Sequence, residues 1–90
     1  MVKVRLPRHL QRFVDVPSRC EVDAANVAEL VHRLDDSFPG LGPYLVQENG
    51  CLRQHVHIFL DEQHVSDREK LSDSLNGIQE VVIMQALSGG

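Results

Sequence analysis

Apolar and polar positions along the chain follow two periods. Val2, Val4 and Leu6 alternate with Lys3 and Arg5, the pattern of a strand with one buried face. Arg19 to Ala24 alternates again, with Cys20 and Val22 inward. The two stretches predict an N-terminal hairpin with a long connection, which Pro7 and Pro17 bracket and which contains Leu10 and Phe13. The period then changes. Val27, Leu30, Val31 and Leu34 recur at i, i+3, i+4 and i+7, one face of a helix, with His32, Arg33, Asp35 and Asp36 on the other side. Asn26 with Glu29 three residues later reads as a capping-box start. Phe38-Pro39-Gly40-Leu41-Gly42-Pro43 ends the helix.

Tyr44 to Val46 predicts a short helical turn, and Asn49-Gly50 a tight turn. Strand alternation returns at His55 to Leu60, with Val56, Ile58 and Leu60 on one face and His55, His57 and Phe59 on the other. A short segment follows at His64-Val65. Leu71 and Leu75 anchor a loop, Asn76-Gly77 turns the chain, and a last strand runs from about Glu80 to Ala86. The order is strand, strand, helix, strand, short strand, strand. It predicts an α+β fold: a mixed sheet of four to five strands with one main helix packed on one face. The first and last strands are apolar enough to be central.

Composition narrows the function classes. Ninety residues bound one domain with a compact core. A formal charge of −4, with no basic stripe, argues against nucleic acid and for a partner with a basic surface. No apolar run approaches the roughly 20 residues of a membrane helix. Met1 leads directly into the first strand, and Cys20 and Cys51 form no Cys-x-x-Cys pair. A cytoplasmic protein with reduced cysteines is therefore expected.

Chemistry inside the domain finds little support. His55 and His57 share a strand face and His64 can approach them, but exposed polar side chains on an open sheet face account for all three, and no metal is expected. Asp35-Asp36 and Asp61-Glu62 read as solvated surface. No nucleophile triad or phosphate-cradling loop is present. The end of the sequence differs. Val81 to Ala86 leads into Leu87, Ser88, Gly89 and Gly90, and glycine lacks the Cβ that would block a narrow slot. Four extended residues reach about 13 Å, enough to bring a carboxylate into a partner's active site. Leu87 adds one apolar anchor. Residues 1–86 are thus expected to form the domain and 87–90 a flexible tail. A carboxylate is a poor electrophile, so chemistry there needs activation. ATP is the simplest agent, held by another protein because this chain has no site for it.

These residues resemble a known family. Val2 to Pro7, Asn26 to Leu41, Gly50 to Val65 with its Gly-x-Leu-Arg start, and the Gly-Gly ending are similar to the MoaD/ThiS type of ubiquitin-like sulfur carrier. The resemblance implies a β-grasp fold and a carrier rather than an enzyme. Such a carrier would bind no cofactor of its own. A ubiquitin-activating-like adenylyltransferase would use ATP to adenylate Gly90, and sulfur would then convert it to a thiocarboxylate. The acceptor would be an enzyme of the molybdopterin synthase (large subunit), thiazole synthase or cysteine synthase type. Docking is expected on the open sheet face, through Phe59, Val82, Met84 and Ala86, rimmed by Arg53 and His57. The alternative for Val82 and Met84 is cover by a loop. Two other functions stay open: a modifier joined through Gly90 to lysines, and an interaction module with an idle tail.

Overall fold

The helix begins where its cap predicts. Asn26 Oδ1 accepts from the Glu29 amide at 2.8 Å. Glu29 Oε1 accepts at 3.4 Å from the Ala25 amide, one residue upstream of the usual capping-box donor. A cap of this kind is worth about 1 kcal/mol over alanine. In the computed structural model, which describes residues 1–12 and 14–85 and only the backbone of His9, this helix (α1) runs Val27–Ser37. Val27, Leu30, Val31 and Leu34 are its buried face. Asp35 Oδ1 accepts from the Gly42 amide at 2.8 Å as the chain leaves the helix. A Cβ on residue 42 would lie 2.9 Å from Asp35 Cγ, so a larger residue there must displace the carboxylate that accepts its amide. A second short helix, α2, follows at Gly42–Leu45.

Among the described residues five strands make one sheet: β1 (Val2–Arg5), β2 (Arg19–Val22), β3 (Val56–Leu60), β4 (Gln63–His64) and β5 (Glu80–Gln85), in the order β2-β1-β5-β3-β4. β1 and β5 pair in parallel at the centre, and the other neighbours pair antiparallel. Val4, Ile58, Val81 and Ile83 point to the side that carries α1 and join its apolar face in one core cluster. The strands end sooner than alternation predicts: β1 at Arg5, not Leu6, and β2 at Val22, not Ala24. The connection between them contains a 3₁₀ turn, Arg8–Arg12, with Leu10 buried. Cys20 is half-buried beside the core, and burial pushes its thiol above the ordinary range. Both cysteines are free. Phe13, Ala86 and the tail assigned to 87–90 lie outside the described residues. Among the described residues no helix is long and apolar enough to cross a membrane.

The loop between β4 and β5 holds the start of α1. Leu71 and Asp73 offer carbonyls to the amides of Ala28 and Val27, at 2.9 and 3.0 Å. Leu71 is buried at a left-handed φ of 54°. A non-glycine residue persists there only when its surroundings over-determine it. Asp67 supplies the restraint. Its carboxylate accepts from the amides of Glu69, Lys70 and Ser72 and from the Ser72 hydroxyl. The Lys70 amide, then the Ser72 hydroxyl, hold this carboxyl at about 2, against an ordinary 3.8. A depressed folded-state value stabilises the fold above the unfolded value, and that stability is lost as pH falls through the folded one. Urea midpoints of the wild type should therefore drop between pH about 4 and about 2. Asp67→Asn should be less stable at neutral pH and lack that part of the acid limb. Parallel pH curves for the two proteins would show that the turn does not depend on the charge.

Candidate functional site

The face of the sheet opposite α1 is built by the outward positions of each strand. The strand register aligns Arg19, Arg5, Val82, Phe59 and His64 in one row across all five strands. Met84 stands beside this row, opposite His57. Val82 and Phe59 are half-buried, and Met84 is 52% exposed. Met1 and Met84 are the large hydrophobic residues that stand exposed among those described. Among the described residues, none covers the Met84 side chain, and Val82 beside it is half-buried. The patch has apolar centres and polar borders, as interaction surfaces do.

The borders differ from expectation. Arg53 does not rim the patch. Its Nε donates to the Pro43 carbonyl at 2.6 Å, and it lines a cleft with α1 and residues 42–50. The reason is local. Arg53 precedes β3, and the Val56 amide turns back to its carbonyl at 3.0 Å, so strand alternation does not extend to it. Arg5 and Arg19 border the patch instead. Arg5 Nε lies 3.4 Å from Glu80 Oε2, a half-exposed pair worth under about 1 kcal/mol. Lys3, Arg5 and Arg19 face Glu21 and Glu80 here, three cations against two carboxylates. The formal charge of −4 therefore does not arise from these five side chains.

His57 borders the patch on the β4 side, as expected, but paired. Its Nδ1 is 3.1 Å from His64 Nε2, and the two rings lie edge to face with centroids 5.3 Å apart. His64 also meets Phe59 edge to face at 5.0 Å. His55 lies just outside β3, and among the described residues no three His, Cys, Asp or Glu side chains cluster as metal ligands. The sequence left His64 as an uncertain neighbour and Arg5 and Arg19 unremarked. Their signal lies in long-range strand pairing rather than in any local pattern. Ala86, Leu87, Ser88, Gly89 and Gly90, the remaining expected site residues, lie outside the described residues.

Solved structures share this architecture. A chain of the crystal structure of the Amycolatopsis orientalis BexX/CysO complex matches with TM-score 0.84 and 20% identity, covering 100% of both chains. Mycobacterium tuberculosis CysO, described as an antigen, matches with TM-score 0.83 and 18% identity, covering 97% of this chain and 100% of that one. SAMP1 from Haloferax volcanii matches with TM-score 0.74 and 20% identity, covering 99% of this chain and 98% of that one. At these identities the likeness is one of fold, the β-grasp that the family resemblance implies. No curated protein matches the sequence. The model of the ThiS family matches residues 4–90, from the first strand through Gly89 and Gly90. The chain belongs to the ThiS family of ubiquitin-like sulfur carriers.

Proposed function

We propose that this carrier holds its sulfur as a thiocarboxylate on Gly90. The match to the ThiS family through residue 90 is the observation that carries the reading. In the first step a carboxylate oxygen of Gly90 attacks the α-phosphorus of ATP and pyrophosphate leaves. In the second, sulfur at the sulfide oxidation level attacks the acyl carbon and AMP leaves, giving the thiocarboxylate. A ubiquitin-activating-like adenylyltransferase supplies the nucleotide site, so this chain is co-substrate rather than enzyme. A cycle that uses ATP is at home in the cytoplasm, the location this reading assigns to it. The recipient enzyme is of the molybdopterin synthase, thiazole synthase or cysteine synthase type. That a neighbour of the same fold was crystallised as the BexX/CysO complex supports a partnered mode of action. With the activating enzyme from the same genome, ATP–pyrophosphate exchange should depend on this chain. Exchange that ignores it would remove the proposal. Conjugate ladders on other proteins, lost when lysines are blocked, would mark a modifier instead.

Docking of these partners uses the Val82, Phe59 and Met84 patch. A charge placed at an exposed apolar anchor costs on the order of 2 kcal/mol in binding, more than tenfold in Kd. Met84→Glu should therefore weaken binding to the activating enzyme about tenfold or more. Its melting temperature should match the wild type, because Met84 projects from the sheet. Unchanged binding would place docking elsewhere.

A further inference from the structure

The geometry points to a transition-metal site on the open face of the sheet, with His57 and His64 as its two protein ligands. His64 Nδ1 lies 3.2 Å from the Val65 carbonyl. A carbonyl only accepts, so in the neutral ring this nitrogen carries the hydrogen and Nε2 presents its lone pair. Nε2 points at His57 Nδ1, 3.1 Å away, which therefore donates to it. The Val65 carbonyl fixes the tautomer and ring orientation of His64, the role that carbonyls and carboxylates play behind metal-bound histidines. Phe59 steadies the same ring from its edge at 5.0 Å. β3 and β4 hold both imidazoles, so neither depends on a long loop.

The spacing suits an ion. With metal–nitrogen bonds of about 2.0–2.1 Å, nitrogens 3.1 Å apart subtend roughly 95–102° at the metal. That angle serves adjacent positions in tetrahedral, tetragonal or octahedral coordination. The ion takes the place of the shared hydrogen and sits off the nitrogen–nitrogen line, so on binding each ring turns by about 40° from its hydrogen-bonded pose to aim its lone pair at the metal. His57 releases its Nδ1 proton to solvent and takes one at Nε2, so two neutral imidazoles bind without net proton release. Two protein ligands leave the remaining positions to water or to a docked partner. Imidazole pairs bind copper(II) above nickel(II) and zinc(II). Met84, opposite His57 in the register, adds a thioether neighbour.

The test titrates the full chain with Cu(II), Ni(II) and Zn(II) separately, by calorimetry and by NMR of the histidine ring protons. The expected result is one ion per chain, bound tightest for copper, with the His57 and His64 signals perturbed first. His57→Asn and His64→Asn should each weaken binding about tenfold or more. His55→Asn and His32→Asn should leave it unchanged. The NMR arm uses unmodified protein, so a misfolded variant does not decide the outcome. Absence of saturable binding, or affinity that survives His57→Asn and His64→Asn, would overturn the site. So would perturbation of His32 or His55 ahead of the pair.

Discussion

Removing Gly90 is expected to lower chain-dependent ATP–pyrophosphate exchange at least about a hundredfold and to leave the fold untouched. Deletion draws the terminal carboxylate back by about 3.3 Å. Misplacing a reacting group by even about 1 Å can cost a hundredfold. The fold should not notice, since Gly90 follows the end of β5 at Gln85 by five residues. Melting curves of wild type and variant should therefore coincide. An alanine appended after Gly90 should act in the same way, because it replaces the reactive glycine with a side-chain-bearing residue at the slot. Normal exchange in both variants would sink the carrier and modifier readings together. A large drop in melting temperature would mean that the ending is structural.

The second large effect lies in the core. Leu34 is 0% exposed on α1 and shares the core cluster with Val4, Ile58 and Val81. Leu34→Ala should destabilise the fold by about 2–5 kcal/mol, the lost transfer energy plus the cavity. Alanine is the better helix former, so none of that loss comes from helix propensity. A 90-residue chain has about 5–13 kcal/mol to lose, which makes the variant marginal. Its melting temperature should fall by roughly 10–30 °C. Urea unfolding checks the number, and a loss under about 1 kcal/mol would mean that α1 does not close the core as described.

Local pattern carried most of the fold. The i, i+3, i+4, i+7 spacing from Val27 and the Asn26 cap locate α1 within a residue, because helix hydrogen bonds are themselves local. Alternation assigns the buried faces of β1, β3 and β5 for the same reason. The 3₁₀ turn at Arg8–Arg12 has no such period, and it stayed hidden inside the first connection. The candidate site was half legible. Alternation puts Val82, Met84, Phe59 and His57 on one face, and the resemblance alone makes that face a docking surface. Arg5 reaches Val82 only through the parallel pairing of β1 with β5, residues far apart in sequence. His57 meets His64 only through the register of β3 with β4. Arg53 was placed at the rim by the family resemblance alone, outside any strand alternation; its side chain follows α2 instead.

The central claim is that Gly90 carries sulfur. Its most direct test is the intact mass of the chain after incubation with its activating enzyme, ATP and a sulfide-level donor. One added mass increment, equal to the difference between sulfur and oxygen and confined to the fragment that ends in Gly90, is the predicted result. An unchanged mass under conditions in which the adenylate demonstrably forms would contradict it.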